Sequence, residues 1–163
     1  MKLLTQILSA CFTCLAVTSM ASAETMQISA SGFTAHGPNP GEVNQGLLLN
    51  AQGKYYAPVV FPAKGQLVCR FKLVYRDNDT DVDLTARLFR KLAIIGGNPF
   101  DPPVLMASVS SSGAAATTRR AATAIIVQRV INNTNSLYYV EIDFPLTTLE
   151  ALGVEIDVQP TCP

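Results

Sequence analysis

The chain has 163 residues, of which 12 are basic and 12 acidic, so its formal net charge is zero. A neutral chain gives no electrostatic attraction to nucleic acid or to an anionic membrane surface, and we expect neither as a partner. A chain of this length is long enough for one domain that buries about two thirds of the surface of its unfolded state.

The first 23 residues predict a secretory signal peptide. Lys2 provides a positive start, a mostly apolar stretch covers residues 3–17, and Ala21 to Ala23 form an A-x-A cleavage site. Polar Ser and Thr residues interrupt this stretch, which therefore falls short of the roughly 20 apolar residues of a membrane span. We predict cleavage after Ala23, a single mature domain over residues 24–163 without a membrane span, and a secreted or periplasmic location.

A lipid anchor is the alternative reading of the leader. The stretch from Leu8 to Cys11 has the pattern of a lipobox, in which the cysteine is lipidated and becomes the new N-terminus. The apolar stretch continues past Cys11, however, and processing there would leave a leader of only about ten residues. Cleavage after Ala23 fits the pattern better.

Cleavage leaves two of the four cysteines, Cys69 and the penultimate Cys162. Two cysteines in an exported domain favour an intramolecular disulfide bond, with free thiols or an intermolecular bridge as the alternatives. The bond would close a loop of about 94 residues, for which loop entropy gives about 4–5 kcal/mol of stabilisation. We therefore expect the C-terminal strand to be tied to the middle of the fold.

The first half of the mature chain predicts strands separated by loops. Gly, Pro, Asn and Ser interrupt the chain about every ten residues, and no stretch has a convincing helical period. Residues 32–45 form a predicted loop, and an apolar run over 54–61 a predicted strand. Between Leu67 and Tyr75 every second residue is apolar, which is typical of a half-buried strand. A second such strand over 82–88 predicts an antiparallel hairpin.

The second half continues in the same way. We expect a loop over residues 92–103, a short strand over 104–109, and a buried strand or a short helix over 121–130. Strands over 138–144 and 152–158 are predicted from their alternating apolar residues, with one helical turn between them. The whole pattern predicts an all-β fold, an antiparallel two-sheet β-sandwich of jelly-roll type with seven to nine strands.

Charge is distributed unevenly along the sequence. The region from Lys54 to Lys91 is rich in Lys and Arg, whereas only acids follow Arg129. In a sheet protein this pattern predicts neighbouring strands of complementary charge; head-to-tail self-association is the alternative. The acids after Arg129 are Glu141, Asp143, Glu150, Glu155 and Asp157.

Several short motifs occur in a fixed order. They are a Y-x-D-N turn at 75–78, an R-x-x-R strand at 87–90, an S-S-G turn ending at 113, an N-N…Y-Y strand at 132–139 and a version of L-x-G-V-x-I at 151–156. This order resembles a pattern found in uncharacterised secreted bacterial β-sandwich proteins. The resemblance implies the sandwich fold, and it implies no reaction.

A run of alternating aspartates is the one cluster with metal-ligand spacing. Asp77, Asp79 and Asp81 present oxygen ligands of the type that Ca²⁺ prefers. The run departs from the EF-hand loop, because Val82 replaces the turn glycine and Leu88 the bidentate glutamate. The alternative is a hairpin turn whose acidic side chains accept hydrogen bonds from their own backbone. Beyond this possible Ca²⁺ we expect no cofactor.

Catalytic signatures are few. His36 is the only histidine, the G-x-S-x-G motif is absent, and Cys69 is assigned to a disulfide bond. Glu141 and Asp143 share the outer face of one predicted strand, but a glycosidase places such a pair in an aromatic-lined cleft and this chain has no Trp. We therefore expect no enzyme.

Two tyrosine pairs suggest a ligand-binding surface. Tyr55, Tyr56 and Tyr139 are the candidates, because an outward ring of each pair would be free to stack on a sugar; a ring that only covers a neighbouring strand is the alternative. We predict a non-catalytic, exported structural or adhesive module that contacts a protein or a glycan at the cell surface. A lectin-like carbohydrate-binding module, assisted by Ca²⁺, is the second hypothesis, and a secreted hydrolase is the third.

Overall fold

The computed structural model describes residues 23–37, 42–44, 47–49, 52–93 and 101–163. Apart from Ala23, the predicted signal peptide and the lipobox lie outside these residues. The described residues form eleven β-strands and one 3-10 turn (Ala30–Gly32), and no helix among them is long and apolar enough to cross a membrane. The strands are β1 (Glu24–Ser29), β2 (Thr34–His36), β3 (Glu42–Asn44), β4 (Leu47–Leu49), β5 (Gly53–Val59), β6 (Leu67–Asp77), β7 (Thr85–Leu92), β8 (Val104–Ser110), β9 (Ala115–Thr123), β10 (Ser136–Phe144) and β11 (Leu149–Gln159).

The strands form two antiparallel sheets. Sheet A has the order β3-β4-β11-β6-β9, with β1 also paired to β11, and sheet B has the order β2-β5-β10-β7-β8. From β5 onward the chain passes back and forth between the sheets, apart from the β7–β8 hairpin, which is the connectivity of a jelly roll. The predicted sandwich is confirmed, and eight of the strands have at least six residues.

The core lies between the two sheets and follows the alternation predicted from the sequence. On β6, Phe71, Leu73 and Tyr75 are buried while Arg70 and Lys72 point to the outer face. Successive side chains of a strand point to opposite faces, so one apolar residue in two is enough to fill one side of a sheet. The same alternation buries Tyr138, Val140, Ile142 and Phe144 on β10 and Leu84, Ala86 and Leu88 around β7.

The predicted hairpin of residues 67–75 with 82–88 is wrong. β6 belongs to sheet A and β7 to sheet B, and the segment between them crosses from one sheet to the other. Asp79 Oδ1 accepts hydrogen bonds from the backbone N–H groups of Asp81 at 2.9 Å and Val82 at 3.1 Å, which bend the chain out of the strand direction. Burial of alternate residues does not distinguish two strands of one sheet from two facing strands.

Three shorter predictions are also corrected. β9 ends at Thr123, and the following segment is neither strand nor helix: Ile125 is 82% exposed, and the backbone N–H of Val127 donates to the Met106 carbonyl of β8 at 2.8 Å. No helical turn precedes β11, which begins at Leu149. The predicted loop over 32–45 contains the short strands β2 and β3.

The predicted disulfide bond is present. Cys69 on β6 is bonded to Cys162, 93 residues later, behind the end of β11. Because β11 pairs with β6 along most of its length, the bond fastens the tail to the strand beside it.

The charge pattern forms ion pairs on the outer faces of both sheets. Each of the five acids after Arg129 pairs with a Lys or Arg that precedes it in the sequence, and each is paired within its own chain, so self-association is not required to explain the pattern. The pairs are Lys54–Glu141, Arg87–Glu141, Arg87–Asp143, Lys72–Glu155, Lys72–Asp157, Arg76–Glu150 and Arg120–Glu155.

Candidate functional site

The aromatic side chains outside the core share one face of the molecule. Of the Tyr and Phe side chains in the described residues, only Tyr56, Phe89 and Tyr139 are not buried. They lie on β5, β7 and β10, which are neighbouring strands of sheet B. His36 on the edge strand β2 lies beside them. We call this surface the outer face of sheet B.

Strand geometry decides which tyrosine of each pair faces outward. Tyr55 and Tyr56 are consecutive on β5 and therefore point to opposite faces, and Tyr138 and Tyr139 do the same on β10. Tyr55 is 2% exposed and packs edge-on against Phe144 in the core, so its prediction as a ligand-binding residue is corrected. Tyr56 and Tyr139 remain candidates.

The four outer rings form a continuous row, the aromatic row. The centroids of His36 and Tyr56 are 5.6 Å apart, those of Tyr56 and Tyr139 6.0 Å apart, and those of Tyr139 and Phe89 5.1 Å apart. Tyr139 and Phe89 are stacked at an interplanar angle of 18°. The row crosses four strands, and three steps of about 4.8 Å between strands give it a length of about 14 Å.

Glu141 anchors the polar part of this face. Its side chain is only 8% exposed and accepts hydrogen bonds from Tyr56 Oη at 2.8 Å, from Arg87 at 2.8 Å and from Lys54 Nζ at 3.3 Å. Arg87 also binds Asp143, at 3.3 Å. Two cations therefore balance two carboxylates on this face.

These contacts shift the pKa values of three groups. Burial, and then the hydrogen bond to the Glu141 carboxylate, raise the pKa of Tyr56 to about 12. Burial and the same carboxylate raise the pKa of Tyr139. Burial alone would raise the pKa of Glu141, but the hydrogen bonds from Tyr56, Arg87 and Lys54 outweigh it and hold the pKa below its usual range. Both phenols are thus neutral donors at neutral pH, and Glu141 is ionised.

An apolar groove adjoins the aromatic row at Tyr139. Its volume is about 450 Å³, and its exposed lining consists of the apolar Pro58, Val60 and Leu137 and the polar Asn133. Val60 is 81% exposed and Leu137 63% exposed.

Phe89, Leu137 and the groove were not predicted as functional. Alternate residues of a strand point to the same face. The alternation that places Arg87 and Tyr139 outward therefore also places Phe89 on β7 and Leu137 on β10 outward, and it could have identified both residues from the sequence.

The aspartate run lies at and after the end of β6, where its side chains accept hydrogen bonds from their own backbone. Asp77 is fully buried at the end of β6, where it accepts hydrogen bonds from the backbone N–H of Asp79 at 2.9 Å and from the Ser111 hydroxyl. Asp79 in turn accepts from the backbone after it, while Asp81 is exposed. Within the described ranges no group of three or more His, Cys, Asp or Glu side chains is arranged to hold a metal ion. The backbone-capping alternative is the one that the structure contains.

No family model matches the chain, and no curated protein matches it. Solved structures do match. The xylan-binding module CBM15 has 10% identity and a TM-score of 0.50, covering 86% of this chain and 100% of its own. The CBM36-1 domain of a multidomain xylanase from the hindgut metagenome of Trinervitermes trinervoides has 14% identity and a TM-score of 0.43, with 86% and 100% covered. The C-terminal CBM6 of LamC from Zobellia galactanivorans has 13% identity and a TM-score of 0.44, with 82% and 98% covered. At these identities the likeness to CBM15 is a likeness of fold.

Proposed function

We propose that this chain is a non-catalytic carbohydrate-binding module that holds a neutral polysaccharide on the outer face of sheet B. The observation that carries the proposal is the convergence of Tyr56, Phe89 and Tyr139 on one face, while the remaining described Tyr and Phe side chains are buried. Large aromatic side chains are normally placed in the core, so a row of half-buried rings on one outer face favours a ligand-binding surface.

The chemistry of the face suits a sugar chain. A pyranose has apolar C–H faces and a rim of hydroxyl groups, so it needs an aromatic surface next to hydrogen-bonding groups. The aromatic row provides the first, and the Lys54, Arg87 and Asp143 side chains beside Glu141 provide the second. The balance of two cations against two carboxylates favours an uncharged glycan over a polyanion.

The length of the aromatic row sets the length of ligand. A row of about 14 Å across the strands matches about three sugar units, since a pyranose unit is about as long as one interstrand spacing. The fold shared with a xylan-binding module makes xylan the first glycan to test.

The same proposal covers the wider context of the module. An exported module, cleaved after Ala23 and similar to the secreted bacterial sandwich proteins, would meet such polymers outside the cytoplasm. An adhesive role is then adhesion through a glycan. We propose no reaction, because the carboxylates of Glu141 and Asp143 are both occupied by ion pairs with Arg87 and Lys54.

Affinity electrophoresis in gels that contain xylan, laminarin or hydroxyethyl cellulose tests the proposal. We expect retardation of the wild type in at least one gel and an affinity at least tenfold lower for Tyr139→Ala, since tenfold corresponds to about 1.4 kcal/mol, within the range of aromatic contacts. Arg120→Ala, on the outer face of sheet A, is the matched control and should migrate like the wild type. A folded protein that no gel retards, or an equal loss in both variants, would contradict the proposal.

A further inference from the structure

The groove beside Tyr139 differs in character from the rest of the outer face. Most of its exposed lining is carbon surface from Pro58, Val60 and Leu137, beside the polar Asn133, and its volume of about 450 Å³ lies in the range of small-molecule sites. Val60 and Leu137 are among the most exposed large apolar side chains of the described chain. The free energy that is lost by exposing them would be recovered only by an apolar ligand.

Two of the polar side chains at the groove, Asn133 and Ser136, already form hydrogen bonds within the protein. Asn133 Nδ2 donates to the Phe61 carbonyl at 2.8 Å, and Ser136 Oγ accepts from Arg90 Nε at 2.8 Å. A bare sugar unit in this groove would give up water around its hydroxyl groups and find few replacement partners, which costs free energy. An apolar group avoids that cost.

The groove is continuous with the aromatic row. Pro58 on β5 is the cross-strand partner of Tyr139 on β10, so the ring that ends the groove is also a member of the row. A sugar stacked at Tyr139 therefore has one edge over the groove.

We propose that the groove binds an aromatic acyl substituent carried by the polysaccharide whose backbone lies on the aromatic row. This inference rests on the proposed function and names the substrate class more closely as an aryl-esterified glycan. An acetyl group is far smaller than the groove, whereas a substituted cinnamoyl ring extends along it and contacts Leu137, Val60 and Tyr139.

Isothermal titration calorimetry with two ligands tests this inference. One is a xylooligosaccharide that carries a ferulic acid ester, and the other is the same oligosaccharide after alkaline removal of the ester. We expect the ester to bind at least fivefold more tightly to the wild type. In Leu137→Ser that difference should disappear while affinity for the de-esterified ligand stays the same. Ile125→Ser, a substitution of a residue that is even more exposed and lies away from the groove, should retain the difference.

The outcomes separate a failure of the groove assignment from a failure of carbohydrate binding. Equal affinity of the wild type for both ligands would overturn the groove assignment and leave the carbohydrate-binding function intact, and a Leu137→Ser variant that loses both ligands equally would overturn it too. If neither oligosaccharide binds, xylan is not the ligand, and the groove assignment is then tested with methyl ferulate alone. Shifts of the Val60 and Leu137 amide resonances on its addition support the assignment, and unchanged spectra overturn it.

Discussion

The phenol of Tyr56 donates a hydrogen bond to Glu141 Oε2 at 2.8 Å, from the neighbouring strand of sheet B. The two residues are direct cross-strand partners, so the backbone pairing holds both groups in place. Glu141 also receives Arg87 and Lys54, and through it the orientation of an aromatic ring is coupled to the charges beside it.

Ionisation of Tyr56 should occur at unusually high pH. Its pKa is raised to about 12, first by burial and then by the Glu141 carboxylate. A pKa raised by folding stabilises the protein fully below pH 10, the unfolded value, and this contribution is lost as pH rises from about 10 to 12. Absorbance titration at the phenolate band should lose one late step in Tyr56→Phe. In Glu141→Gln that step should move to lower pH but stay above 10, because burial remains; an unmoved step would contradict the coupling.

The same carboxylate should make the protein sensitive to acid. The pKa of Glu141 is lowered from 4.5 by the hydrogen bonds it accepts, so its contribution is present above about pH 4.5 and is lost as pH falls through the folded value. Glu141→Gln should lower the free energy of unfolding by about 1–3 kcal/mol at pH 7 and by less in acid. The loss is smaller than that for breaking a fully buried ion pair, because Lys54 and Arg87 are partly exposed. Urea unfolding at pH 7 and in acid measures this. Glu24→Gln, at an exposed position, is the control, and a cost independent of pH would refute the assignment.

Gly153 should tolerate no side chain. A Cβ there would overlap the Ile28 carbonyl oxygen of β1, and the φ of +144° at Gly153 already disfavours other residues. Gly153→Ala should therefore cost about 3 kcal/mol or more, since it adds a backbone clash to local strain. Gly37 has a similar φ of +136° but open space around it, so Gly37→Ala should cost only about 1–2 kcal/mol. Equal melting temperatures for the two variants would show that β1 does not lie where it is described.

The disulfide bond should contribute stability without determining the fold. Loop entropy gives about 4–5 kcal/mol for a closed loop of this length, and the core does not depend on the sulfur atoms. The double variant Cys69→Ser/Cys162→Ser should keep the β-sheet dichroism and unfold at a lower urea concentration than the oxidised wild type. The wild type in reducing agent should behave like the variant, and identical unfolding curves for the oxidised and reduced forms would be the contrary result.

The sequence reveals much of the fold because alternation is a direct consequence of strand geometry. On β6 and β10 the apolar residues at every second position were assigned to the core and are buried there. Charge complementarity was also readable, since the acids of β10 and β11 lie opposite bases of β5, β6 and β7.

What the sequence concealed is which strands share a sheet. The aspartates after β6 are typical of a hairpin turn, yet Asp79 binds the backbone of a segment that crosses from sheet A to sheet B. No local sequence pattern distinguishes a hairpin turn from such a crossing segment. The aromatic row likewise depends on register: Tyr56, Tyr139 and Phe89 are far apart in the sequence and meet because β10 lies between β5 and β7. The apolar Ile125 and Val127 favoured a buried strand or a helix, but both side chains are exposed in a segment that is neither.

The pairing of Glu24 with Val158 in sheet A brings the start of β1 and the end of β11 to one corner of the molecule. That corner is part of sheet A, which lies on the side of the sandwich opposite the aromatic row. A reporter protein or a surface linker attached before β1 or after β11 would thus emerge on the far side, where it would not obstruct the glycan contact that we propose for sheet B.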